Sequence, residues 1–264
     1  GFIQMVRRLH ERLRPAQMIV VWDGGLAPER TALLPTYKSQ RPEMPADLAS
    51  QFDPIDDYLD AAGVPWLRLD DVEADDLVAT LARRFAGAGH AVVIASSDKD
   101  FMQLVNGSIR LANPADKTGQ LFGADAVRAK TGVEPHQVVD WLSLVGDAVD
   151  NIPGVPQVGP KTAARLLKNF GSVAEIYRRV GEIDNERLRQ TLVDSRAAVI
   201  RNQSMVRLRE DVPGDFPELT PVRAPDPVRL GELYRHWGFR TWLAEVTGES
   251  TPEIPRQATL FAEE

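Results

Sequence analysis

Eight carboxylates in four short motifs carry most of the chemistry in this 264-residue chain. Asp23 closes Val20-Val21-Trp22-Asp23, and Glu73, Asp75 and Asp76 lie in Glu73-Ala74-Asp75-Asp76. Asp98 and Asp100 lie in Ser97-Asp98-Lys99-Asp100, and Asp147 and Asp150 in Gly146-Asp147-Ala148-Val149-Asp150. Any single motif reads equally well as a helix cap or as a first-turn acid facing a helix dipole. The set resists that reading, because like charges gathered at strand ends repel and are costly to bury. Divalent cations remove the cost. Oxygen ligands without cysteine or clustered histidine select Mg²⁺ or Mn²⁺ over Zn²⁺. Two such ions about 4 Å apart would stabilise both the attacking and the leaving oxygen of a phosphodiester. No Gly-x-Ser-x-Gly or Walker-type loop offers a rival chemistry.

A second constellation follows directly. Asn151–Ala164 holds Gly154 and Gly159 five residues apart, then Pro160 at a first helical turn, then apolar Ala163, Leu166, Leu167 and Phe170 at helical spacing. This reads as a tight helix-hairpin-helix. Glycine lets the backbone approach a phosphate, and the next helix start offers free N–H donors with Lys161 as a point charge. Such contacts touch only the nucleic-acid backbone and carry no base sequence.

The elements that must position these groups divide the chain in two. Met18–Trp22, Val64–Leu69, Ala91–Ser96 and Ser108–Ala112 are short apolar runs, predicting strands buried on both faces. Helical spacing marks Gly1–Arg14, Pro45–Ala62, Val72–Ala86 and Lys99–Val105 between them. Alternating strands and helices predict a parallel α/β sheet with helices on both faces, ligands gathering beyond the carboxyl ends of the strands. Asp23 and Asp98 each lie at such an end. From Gly123 to Trp242 only helices are expected. The division is therefore 1–122 as an α/β core, 123–247 as a helical region holding the hairpin 146–170, and 248–264 as a loose Pro-, Thr- and Glu-rich tail. Trp66, Trp141, Trp237 and Trp242 sit in strong apolar patterns and read as core; Trp22 does not share that pattern.

Composition narrows the class. A chain 43% apolar and 26% charged, without cysteine, excludes disulfide scaffolds and thiolate metal sites. No apolar run approaches a membrane span, and Gly1–Arg14 lacks the apolar core of a signal peptide, so a soluble intracellular protein is expected. The net charge is −7. It argues against a uniformly basic nucleic-acid binder, but neutralising eight carboxylates would bring the net to about +1.

In that order and spacing the acidic motifs and the hairpin resemble the structure-specific 5′ nuclease family, which includes flap endonucleases and the 5′→3′ exonuclease domain of bacterial DNA polymerase I. The resemblance covers roughly residues 1–245 and implies a 5′ nuclease (PIN-like) α/β sheet followed by a helical region with a helix-three-turn-helix element. It implies that Asp23, Glu73, Asp75 and Asp76 serve a first metal, and Asp98, Asp100, Asp147 and Asp150 a second. Tyr37-Lys38-x-x-Arg41 resembles the basic arch segment, near 24–50, whose Lys and Arg grip the scissile phosphate, and Arg30 matches a further basic position. Around the hairpin, Gly154, Val155, Val158, Gly159, Lys161 and Thr162, together with Tyr37, become candidate DNA contacts, with K⁺ bound at the hairpin in relatives. The implied activity is Mg²⁺- or Mn²⁺-dependent hydrolysis of 5′ flaps or 5′ ends in replication and repair, by a cytoplasmic, nucleoid-associated monomer. A ribonuclease is disfavoured by the long hairpin, which suits duplex DNA.

Family members open with a strand ending in Asp-Gly, whose Asp is a first-site ligand. The sequence given opens at the expected first helix, so about 30–40 residues, a central strand and one carboxylate would be missing. If the protein starts there, strong second-site binding with reduced cleavage is expected, and the alternative function is a non-catalytic binder of branched DNA. At the other end, Gln257, Leu260 and Phe261 in Gln257-Ala258-Thr259-Leu260-Phe261 resemble the peptide that docks bacterial replication proteins on the sliding clamp, two apolar anchors oriented by an amide.

Overall fold

Phe2, Met5, Val6, Leu9 and Leu13 give the first helix one apolar side, and α1 forms over Phe2–Leu13, burying Val6 and Leu9. The structure is a computed structural model that describes residues 1–116, 118–214, 216 and 223–248. After α1 come β1 (Val20–Val21), α2 (Pro28–Leu33), α3 (Ala46–Ala49), α4 (Phe52–Ala61), β2 (Trp66–Leu67), α5 (Ala74–Gly87) and β3 (Val92–Ala95). A 3₁₀ turn over Asp100–Leu104 leads to β4 (Ile109–Ala112) and β5 (Leu121–Phe122).

The α/β class stands, with three differences of detail. First, the parallel strands form two separate ladders among the described residues: β1 pairs with β2, and β3 with β4. Second, β5 adds an antiparallel edge to β4. Third, the single helix expected over Pro45–Ala62 is broken at Ser50–Gln51. Pro54 explains the break: in a continuous helix its ring would meet the Ser50 carbonyl, and it has no N–H to donate there. α5 packs against both β1 and β3 and so lies over both ladders.

The second half is helical: α6 (Ala124–Thr131), α7 (Val138–Val145), α8 (Pro160–Phe170), α9 (Val173–Arg178), α10 (Glu186–Asp194), α11 (Arg196–Val206), α12 (Pro227–His236) and α13 (Arg240–Thr247). Helices alone were expected here, yet Gly146–Asp147 (β6) pairs antiparallel with Ile152–Pro153 (β7). Two-residue strands are too short to leave an alternating pattern.

One continuous core runs from β3, β4 and α5 through α7, α8 and α11, so both halves share it. A second core joins Tyr58, Leu59 and Val64 to Leu230 and Tyr234, which brings α12 back onto the α/β half. Trp22, one of the five tryptophans, belongs to it: the ring lies 5.2 Å from both Phe2 and Phe52, and Nε1–H donates to Asp56. Among the described residues no helix is long and apolar enough to cross a membrane.

Candidate functional site

Short strands place the acids. Asp23 follows β1 by two residues and Asp98 follows β3 by three, both at the carboxyl ends of parallel strands. Glu73 is the residue before α5, and Asp75 and Asp76 form its acidic first turn. Asp147 lies in β6, and Asp150 in the turn that leads to β7. Asp23 is held by Gly25 N–H (2.9 Å) and lies 3.5 Å from Ala74 N, at the start of α5. Asp98 Oδ1 accepts from Asp100 N–H (2.8 Å), closing a tight Asx turn.

The electrostatics show which acids crowd one another. Burial, then Asp98, push the Asp75 carboxyl up to about 6, with Glu73 and Asp23 adding and Lys38 opposing. Burial, then Asp98 and Asp147, hold the Asp100 carboxyl well above the ordinary range, and Asp75 adds to it. Asp23, Glu73, Asp75, Asp98, Asp100 and Asp147 therefore share one field. Asp100 Oδ1 is sealed from solvent with no hydrogen-bond partner, an orphan acceptor of the kind a cation satisfies. Hard oxygen donors, mutual repulsion and an unpartnered buried oxygen together fit a divalent cation.

Among the described residues, however, no three acidic or histidine side chains are gathered tightly enough to hold an ion as they stand. The chain's own cations pair with several of the acids. Glu73, 2% exposed, accepts at Oε2 from Arg30 (2.9 Å), Tyr37 OH (3.1 Å) and Lys38 (3.1 Å). Asp150 is paired with Arg41 at 2.7 Å, and Asp147 with Lys99 at 3.0 Å.

Two expectations are revised at this point. Asp76, read as a metal ligand, accepts from Arg30 through both oxygens (2.7 and 2.8 Å) and from Arg209 N–H (2.9 Å). These three donors take most of its acceptor sites, so Asp76 acts first as the counter-ion of Arg30. Arg30, read as a phosphate grip, is 5% exposed and also donates to the Met205 and Arg207 carbonyls (3.0 Å each). Its five donors face inward, so its role is to tie α2, α5 and the end of α11 together.

The Tyr37–Arg41 segment lies against the acids. Lys38 adopts a left-handed backbone (φ 54°), and its N–H donates to the Asp150 carbonyl. Asn151 Nδ2 holds the Thr36 carbonyl at 2.8 Å. Burial, then Glu73, raise the Tyr37 hydroxyl far above its usual range, so it stays a proton donor to Glu73. Lys38 is buried, whereas Arg41 is half-exposed.

At the hairpin the two glycines differ. A Cβ on Gly154 would sit 2.1 Å from the Val145 carbonyl oxygen, so Gly154 lets the chain press against Gly146. A Cβ on Gly159 would meet open space, just before α8. Val155 and Val158 are each 4% exposed, their side chains in the core. From them only backbone can reach a ligand. Lys161 is exposed and Thr162 half-buried. Gln257, Leu260 and Phe261 lie outside the described residues.

Two site residues escaped the sequence reading. Lys99 sits inside the Ser97–Asp100 motif, where its charge among acids was the available signal. Asn202, fully buried, donates to the Ser143 and Pro153 carbonyls (3.1 and 2.8 Å) and pins the hairpin to α7 and α11. A lone Asn on a helix carries no such signal.

The comparisons agree with this architecture. Residues 1–132 match the 5′-3′ exonuclease N-terminal resolvase-like domain, and 133–227 the 5′-3′ exonuclease C-terminal SAM fold. Across 93% of its length the chain is 36% identical to a 5′-3′ exonuclease of Aquifex aeolicus and spans 83% of that protein. Across 95% of its length it is 36% identical to DNA polymerase I of Pseudomonas aeruginosa, of which it spans only 28%. The bacteriophage T5 D15 flap endonuclease, solved as a pseudo-enzyme-product complex with DNA and metal ions, superposes with a TM-score of 0.67 at 20% identity, covering 94% of this chain and 89% of that one. At that identity the likeness is one of fold. The family domains match in order along most of the chain, and the Aquifex relative is similar over nearly all of it: the chain belongs to the 5′-3′ exonuclease family, its α/β nuclease domain followed by that family's helical domain.

Proposed function

We propose that the protein hydrolyses phosphodiesters at 5′ ends or 5′ flaps of branched DNA during replication and repair, using two or more Mg²⁺ or Mn²⁺ ions. The observation that carries this reading is the shared field of Asp75, Asp98, Asp100 and Asp147, with a buried unpartnered oxygen on Asp100. It is supported by the Aquifex relative's name, and by the metal ions and DNA in the phage flap endonuclease.

A bound divalent ion supplies Lewis acidity to the phosphate and lowers the pKa of a water. In this reading Asp23, Glu73 and Asp75 face the first ion and Asp98, Asp100, Asp147 and Asp150 the second. Lys38 and Arg41 hold Glu73 and Asp150 in the absence of substrate and turn to the phosphate's developing charge when it arrives. The backbone N–H groups of Gly159, Lys161 and Thr162 and the Lys161 ammonium hold the duplex backbone, and the hairpin's backbone carbonyls would hold a K⁺. The protein acts as a cytoplasmic, nucleoid-associated monomer.

The test is Asp98→Asn combined with Asp100→Asn on a labelled 5′-flap oligonucleotide. Cleavage in Mg²⁺ should fall below about 1% of wild type while flap binding by anisotropy persists; surviving cleavage refutes the site. Gln257-x-x-Leu260-Phe261 docks the chain on the sliding clamp. Removing residues 257–264 should abolish co-elution with the clamp and leave oligonucleotide cleavage unchanged.

A further inference from the structure

Two lysines face the acidic field, and they differ in one respect. Lys38 is sealed: its side chain is 3% exposed and docks on Glu73, itself 2% exposed. Lys99 stands on the rim, its side chain 33% exposed, with Nζ 3.0 Å from Asp147 Oδ2, a carboxylate 9% exposed. Asp147 Oδ1 is meanwhile fixed by Val149 N–H at 3.0 Å, so the carboxylate has one oxygen anchored and one facing Lys99. Lys99 lies at the corner of the Asx turn that joins Asp98 to Asp100, in ordinary helical backbone (φ −70°, ψ −23°). Its ammonium pairs with Asp147, and its charge also acts on the Asp100 carboxyl.

From this geometry we infer that Lys99 is the resident counter-ion of the second half of the cage, occupying Asp147 until a divalent cation displaces it. The inference rests on the metal reading given above and adds a residue to it. Three points carry it. A flexible four-carbon stem ending in a compact charge can leave a carboxylate without disturbing the backbone that bears it. A single ammonium open to solvent holds a carboxylate only weakly, so a hard dication with several carboxylate ligands outcompetes it. The Asp100 oxygen left unpartnered beside it marks acceptor capacity that one ammonium does not fill. Lys38 does not report the same exchange: Arg30 and Tyr37 donate to the same Glu73 oxygen, so a divalent ion alone leaves Lys38 docked until substrate arrives.

The test is calorimetric titration of the whole chain with Mn²⁺, comparing wild type, Lys99→Met and Lys168→Met. The last removes an exposed charge on α8 and controls for net charge. Lys99→Met should tighten Mn²⁺ about tenfold and Lys168→Met less than twofold. In parallel, acylation of Lys99, read by mass spectrometry, should rise several-fold when wild type is loaded with Mn²⁺, while acylation of Lys38 stays low. Wild-type binding with no tightening in Lys99→Met, or equal tightening in Lys168→Met, overturns the role of Lys99 alone. Absence of Mn²⁺ binding in wild type and Lys99→Met alike overturns the metal reading and this inference with it.

Discussion

Asp75 is the acid whose state best reports on the site. Burial and Asp98 raise its carboxyl to about 6 in the folded protein, against about 3.9 in an unfolded chain. A carboxyl with a higher folded pKa binds its proton more readily when folded. Metal-free stability should therefore rise as pH falls through about 6 towards 4, and be lost as pH rises. Asp75→Asn should raise the melting temperature in chelator at pH 7.5 by about 2–4 °C and flatten that pH dependence. It should also remove much of the rise that Mn²⁺ gives wild type. A thermal shift series across pH, with and without chelator, checks each part. The gathering of Asp23, Glu73, Asp75, Asp98, Asp100 and Asp147 was legible in the sequence, because strand ends and a helix start fix where a short acidic side chain can go; that Asp76 turns to Arg30 was not. Nor were the acids' other partners. Arg30, Lys38, Lys99 and Arg41 are all basic residues near acids in the chain, and nothing in their spacing says that Arg30 turns inward while Arg41 stays at the surface.

At the scale of elements, the hairpin separates packing from binding. Gly154 faces the Val145 carbonyl at a distance no Cβ tolerates, whereas Gly159 opens to free space at the start of α8. Gly154→Ala should cost about 2–3 kcal/mol of stability by overpacking. Gly159→Ala should cost about 0.5–1 kcal/mol, yet place a methyl group where a phosphate would approach, and weaken duplex binding more than its stability loss explains. Urea unfolding and anisotropy on the same two variants decide it. The helix-hairpin-helix was readable because glycine, proline and an apolar helix follow in a fixed order. The strand ladders were less so: their apolar runs shrink to two to four paired residues, since an apolar run records burial and not hydrogen bonding. The break at Ser50–Gln51 was legible in principle, through Pro54.

Across the whole molecule, Arg30 is the polar tie between the two halves. It joins the start of α5 to the Met205 and Arg207 carbonyls, where the chain leaves α11. Arg30→Met would leave Glu73 and Asp76 buried with fewer partners and should destabilise the protein by about 3–5 kcal/mol. Chemical denaturation measures that loss, and a loss under 1 kcal/mol would contradict the tie. No local pattern announces a contact between residues 30 and 207, nor the return of α12 onto α4; both are products of long-range packing. The lone flank of β3 has a colloidal consequence. Among the described residues, Val92–Ala95 hydrogen-bonds only to β4, and Val93 is 36% exposed. A bare apolar margin of this sort recruits extended peptide of any origin. In the 264-residue chain as given, that margin is a place where self-association would start, and a lysine at position 93 should raise solubility.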